Sequence, residues 1–124
     1  ILSGLVGSEM CIRDRRIGIN LASGVNESFG NENCLWVNGR LYPLSDVLFE
    51  RVQENRWRIR SLDEKLQLEV ETGWRRYENI NLRMVGSQFS QWQANVTGQI
   101  QLEQGSVIQL NAEYALLEQH YAKW

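Results

Sequence analysis

The feature that most constrains this chain is a two-residue alternation of apolar and polar side chains through its second half. Trp57 and Ile59 alternate with Arg56, Arg58 and Arg60, and Leu66, Leu68 and Val70 with Gln67, Glu69 and Glu71. Ile80, Leu82 and Met84 flank Asn81 and Arg83. After a phase change near Phe89, Trp92, Ala94 and Val96 alternate with Gln93, Asn95 and Thr97. Ile100 and Leu102 face away from Gln99, Gln101 and Glu103, and Ile108 and Leu110 sit either side of Gln109. Successive strand side chains point to opposite faces, so the pattern predicts half-buried antiparallel strands.

Turn signals separate these runs. Asn38-Gly39 lies between Cys34–Val37 and Arg40–Leu44, and both residues tolerate positive φ, which marks a two-residue hairpin. Glu54-Asn55, Asp63-Glu64, Gly86-Ser87 and Gln104-Gly105 mark further turns, and the lone Pro43 belongs at a strand end or edge. Eight or nine short strands at this spacing predict an all-β domain, an antiparallel barrel-like or sandwich fold. Ser23–Gly30 is a polar loop, either at a barrel mouth or a plain surface connection. Over the last thirteen residues two readings stand. Ala112, Ala115, Leu116 and Gln119 fit a helix face, while Tyr114, Leu116 and the residues beyond fit a continued strand.

Leu5–Arg15, reading LVGSEMCIRDR, resembles a translated sequencing-library adapter. Met10–Asp14 back-translates to ATG TGT ATA AGA GAC, and Leu5–Glu9 fits the adapter bases upstream in the same frame. Residues 1–15 are therefore expected to be an artefact, disordered, loosely draped or borrowed into a sheet edge. Residues 16–124 are expected to be the C-terminal β domain of a longer protein, whose missing N-terminal half is its first expected partner.

Composition narrows the function. Thirteen Lys and Arg against fifteen Asp and Glu leave a net charge of −2, which argues against a nucleic-acid partner. With Cys11 inside the adapter-like stretch, Cys34 is the only remaining cysteine. A single thiol fits a reducing, cytoplasmic setting. No apolar run approaches the roughly 18 residues of a membrane-spanning helix. One histidine and two scattered cysteines lack metal-ligand spacing, and no phosphate loop or nucleophile elbow is present, so neither metal nor cofactor is expected.

Three constellations can carry chemistry. Glu118 and His120 form a carboxylate–imidazole pair that shares a face on a strand, either as a proton-transfer pair or as a histidine bonded to a backbone carbonyl. Arg56, Arg58 and Arg60 share another strand face. They either hold a carboxylate or phosphate, or form a solvated stripe paired with Glu69 and Glu71. Trp36, Trp57, Trp74, Trp92 and Trp124 serve either the core or an apolar pocket.

Several phrases together carry a family resemblance: GINLASGVNE at Gly18–Glu27, NENCLWVNGRLYPL at Asn31–Leu44, RWRIRSLDEKLQLEVE at Arg56–Glu71, QFSQWQANVTGQIQLEQGSVIQL at Gln88–Leu110 and LLEQHYAKW at Leu116–Trp124. In this order they resemble the C-terminal part of the domain-of-unknown-function family 2804. More remotely, that family is similar to lipocalin-like proteins that include carotenoid hydratases and tocopherol cyclases. The resemblance implies a barrel-like half able to pocket a hydrophobic or amphipathic small molecule. It marks Asn33, Trp57, Arg58, Glu118, His120 and Trp124 as matching positions. Three functions follow as expectations. One is a binding domain using Asn33, Trp57, Arg58, Arg60 and Trp124. Another is a hydratase- or cyclase-type enzyme using Glu118 or His120. The third is a structural half of a two-domain protein.

Overall fold

The computed structural model describes residues 2–23, 33–82, 85–103 and 105–123, with 2, 8–9, 74–82, 85–89 and 120–123 described by backbone alone. All regular structure among them is strand, and no helix is long and apolar enough to cross a membrane. The strands are β1 (Leu2–Ile12), β2 (Arg15–Ala22), β3 (Cys34–Val37), β4 (Arg40–Pro43), β5 (Val47–Gln53), β6 (Arg56–Ser61), β7 (Leu66–Leu82), β8 (Val85–Gln101) and β9 (Val107–Lys123). They form one antiparallel sheet in the order β4-β3-β2-β1-β9-β8-β7-β6-β5.

That order dictates how the sheet closes. Every neighbouring pair is antiparallel, so nine strands leave the two edges, β4 and β5, running the same way. Only Leu44–Asp46 joins them, whereas a return to a parallel neighbour needs a crossover of about a dozen residues. The chain must instead run straight on, so β4 and β5 are two halves of one bent strand. Hydrogen bonds mark the hand-over: Leu44 N–H donates to Asn33 O at 2.9 Å, on the β3 side. Leu62 N–H donates to Asp46 O at 2.9 Å, on the β6 side. The sheet curls until its edges meet in this strand, and the fold is barrel-like.

The alternation decides what lies inside. Trp57 and Ile59 of β6, Leu66, Leu68 and Val70 of β7, and Trp92, Ala94, Val96 and Ile100 of β8 are buried in one core. The intervening Arg58, Arg60, Gln67, Glu69, Gln93, Asn95, Thr97 and Gln99 are exposed on the outer face. On β9 the inward set switches from Ile108 and Leu110 to Ala115 and Leu117. The switch falls at Ala112, whose φ of 51° adds one residue against β8 and flips the phase.

Several expectations need correction. Leu2–Ile12 are not peripheral: β1 lies between β2 and β9, with Leu5 fully buried and Met10 nearly so, which counts against reading this stretch as an artefact. The physical reason is that Ser3, Leu5 and Gly7 point inward while Val6 points out, the period two of a paired strand. Gly86 and Ser87 do not turn; they sit in β8 opposite Asn81 and Ile80, and the reversal falls between Leu82 and Val85. The strands are not all short, since β7, β8 and β9 each run 17 residues. For the last thirteen residues, strand prevails over helix because β8 supplies an unbroken partner from Ala115 to Lys123. The loop at Ser23–Gly30 lies outside the described residues beyond Ser23.

In the β6–β7 turn, Asp63 has a pKa set by its local partners. Burial opposes charge on Asp63, but the Ser61 hydroxyl, the Lys65 backbone N–H and the Ser45 hydroxyl favour it and hold its pKa below the usual carboxylate range. A depressed folded pKa stabilises the fold above the unfolded value, near 4, and that share is lost as pH falls through the folded value. Asp63→Ala is therefore expected to cost about 1 kcal/mol or less at pH 7. In urea titrations at pH 7 and pH 3, the gap between native and variant midpoints should shrink at the lower pH. An equal gap at both would contradict the assignment.

Candidate functional site

The outer face of β5 to β9 carries a continuous row of side chains, fixed by strand register: Leu48, Arg60, Gln67, Gln99 and Gln109 stand opposite one another in turn. Neighbouring strands lie about 4.8 Å apart, so each residue is in reach of the next. A second row runs Glu50, Arg58, Glu69 and Thr97. Above these rows lies an open depression of about 740 Å³, lined by Arg58, Arg60, Glu69, Thr97, Gln99 and Gln109 among others. A smaller hollow of about 470 Å³ continues past Arg56, Glu71 and Asn95.

Two backbone irregularities lie at this face. Gly98 lets β7 and β8 approach so closely that a Cβ there would meet the Gln67 carbonyl and come within 2.9 Å of Leu68 Cα. The extra residue at Ala112 breaks the β8–β9 register next to Asn111, which also lines the depression, and Ala112 N–H donates to the Thr97 hydroxyl at 3.0 Å.

The arginines of β6 differ in their electrostatics. Arg58 donates from Nε to Glu69 Oε1 at 2.9 Å, and both side chains are about half exposed. That hydrogen bond and the carboxylate charges of Glu69 and Glu50 raise the pKa of Arg58, while desolvation opposes them. Arg56 opposes Glu71, but Arg60 has Leu48 on one side and Gln67 on the other.

Arg58 and Arg60 thus meet in the depression, and the other sequence candidates lie elsewhere. Asn33 is 2 % exposed and acts as a clip. Its Oδ1 accepts from Ala22 N–H at 2.8 Å, and its Nδ2 donates to Ser45 O at 3.1 Å, tying β2 to the bend between β4 and β5. Trp57 faces the core with its ring centroid 6.2 Å from that of Trp92, and the Arg51 guanidinium stacks over both. Glu118 is half-buried on the outer face opposite Gln91, whose Nε2 donates to Glu118 Oε1 at 3.0 Å. It lies well along β9 from Gln109, outside the depression. The backbone of His120 pairs with Leu2 and Phe89, while its side chain and all of Trp124 lie outside the described residues.

Sequence reasoning passed over Gln67, Gln99 and Gln109, because an amide on a strand has no motif. The signal that finds them is register. Counting outward from the Asp63-Glu64 and Gln104-Gly105 turns pairs Arg60 with Gln67 and Gln99 with Gln109, and the β7–β8 register then joins the two pairs in one line. Among the described residues no group of three His, Cys, Asp or Glu is placed to hold a metal ion.

A family model described as Domain of unknown function (DUF2804) matches residues 5–124. No curated protein and no solved structure matches the chain.

Proposed function

This chain belongs to the DUF2804 family, whose function is unassigned, and from its geometry we propose a binding domain that holds an amphipathic small molecule on its outer face. The observation that carries the reading is the 740 Å³ depression, with Leu48 and Leu62 exposed beside it. Polar lining takes a head group there, and the neighbouring leucines take an apolar chain. An interior ligand has less support, since Leu5, Ile19, Leu35, Ile59, Leu68 and Ile100 fill the middle of the barrel. The enzyme reading also has less support. Glu118 engages Gln91, and no second described group stands by it with a contrasting environment.

The test is calorimetric titration of the full chain with dodecyl maltoside and with laurate, each below its micelle-forming concentration. Gln99→Trp places an indole in the depression without touching the core, and should weaken both amphiphiles at least about tenfold with little change in melting temperature. Unchanged affinity for both, or no saturable binding by the unaltered chain, would overturn the proposal.

The adapter reading of Leu5–Arg15 has less support: Leu5 and Met10 are buried in a strand between β2 and β9, and the family model matches from residue 5 onward. Sequencing the gene across this stretch tests it: unrelated codons in place of Leu5–Arg15 would restore the adapter reading, and the same residues there would refute it.

A further inference from the structure

We propose that Arg60 selects for negative charge, so that the amphipathic molecule held on this face carries a carboxylate, sulfate or phosphate head. This rests on the outer-face reading and adds the charge of the ligand.

Arg56 opposes Glu71, and Arg58 stands between Glu50 and Glu69 and bonds to the latter. Arg60 has no acid opposite it on either flanking strand, only Leu48 and Gln67. Among the described residues the one carboxylate lining the depression is Glu69, already engaged by Arg58. The depression therefore holds one cation beyond its acids, in a chain whose net charge is −2, so the excess is local.

The neighbours fit an anion. Gln67, Gln99 and Gln109 continue the row from Arg60, and each amide carries two N–H donors. A guanidinium binds a carboxylate or phosphate bidentately, and amides can satisfy the remaining lone pairs. An ammonium head would be repelled there, and a neutral polyol would leave the guanidinium without a counter-charge. Leu48 opposite Arg60 is 51 % exposed, and Leu62, two residues along, is 60 % exposed. An apolar chain leaving the head group has that surface within reach.

The experiment compares laurate, dodecyl maltoside and dodecyltrimethylammonium by calorimetry on the full chain, with Arg60→Gln and Arg60→Lys alongside. Laurate should bind the unaltered chain about tenfold more tightly than dodecyl maltoside, and the ammonium should bind most weakly. Arg60→Gln should bring laurate to the dodecyl maltoside level and leave dodecyl maltoside unchanged. Arg60→Lys should keep part of the preference. Laurate no tighter than dodecyl maltoside, or a preference that survives Arg60→Gln, would overturn the assignment. If Gln99→Trp still weakens binding at least about tenfold in that case, the outer-face reading stands and only the charge is wrong; if it does not, both fall. Sedimentation with phosphatidylglycerol vesicles tests the source of the anion. Vesicle capture with no laurate binding would overturn the assignment to a free molecule.

Discussion

Gly98→Ala should cost about 4 kcal/mol of stability, among the largest effects of any single substitution in this chain. Two penalties combine. Gly98 has φ of 152°, a backbone region nearly closed to residues with a Cβ, worth roughly 1–3 kcal/mol. The added methyl would also collide with the Gln67 carbonyl and crowd Leu68 Cα at 2.9 Å, an overpacking cost of about 1–3 kcal/mol. Both obstacles are backbone, so no rotamer change relieves them, and the β7–β8 ladder must part where Gly98 faces Leu68. Gly73→Ala is the control, because a Cβ there meets only Gln93 O at 3.7 Å, ordinary contact. Urea unfolding should show a collapsed midpoint, or no folded state, for Gly98→Ala and a near-native midpoint for Gly73→Ala. A loss below about 1 kcal/mol at Gly98 would contradict the close approach of β7 and β8.

The second large effect is at Trp57. Its ring is 4 % exposed, tilted at 54° to that of Trp92, and roofed by Arg51, whose guanidinium is anchored on Glu54 O. Trp57→Ala should cost about 3–5 kcal/mol, since the interior relaxes only partly around so large a void. Among the described residues the buried indole Nε1 finds no hydrogen-bond partner. Trp57→Phe therefore removes some packing and also an unsatisfied donor, and should cost only about 1 kcal/mol. A Phe variant as damaged as the Ala variant would show that the indole N–H is in fact bonded.

The fold was legible wherever burial alone sets the pattern. Trp57 and Ile59, or Leu66, Leu68 and Val70, each read as one inward face, and each is inward. Asn38-Gly39 read as a hairpin, and its φ values of 51° and 83° are those the turn requires. The bend at Leu44–Asp46 was not legible. Pro43 announces a strand end but not that the next strand continues the same line; that follows from parity around the whole sheet. The expectation that residues 1–15 lie at the periphery fails because Ser3, Leu5 and Gly7 alternate with the exposed Val6 as in any paired strand. Of the site, Arg58 and Arg60 were legible as a shared face, but which arginine is neutralised depends on cross-strand partners. Those partners follow from turns and bulges such as Ala112, where local sequence is silent. Glu118 and His120 read as a pair by spacing, and spacing cannot tell that Gln91 engages the glutamate.

The central claim is that the outer face binds and the packed interior does not. The most direct measurement is a side-chain NMR titration of the full chain with laurate. It follows the amide groups of Gln67, Gln99 and Gln109 against the methyl groups of Ile59, Leu68 and Ile100. These two sets alternate along the same strands and point to opposite faces. Saturable shifts at the glutamine amides with the buried methyl groups unmoved are the expected result. Shifts concentrated on Ile59, Leu68 and Ile100, with the glutamines unmoved, would place the ligand inside the barrel and contradict the account.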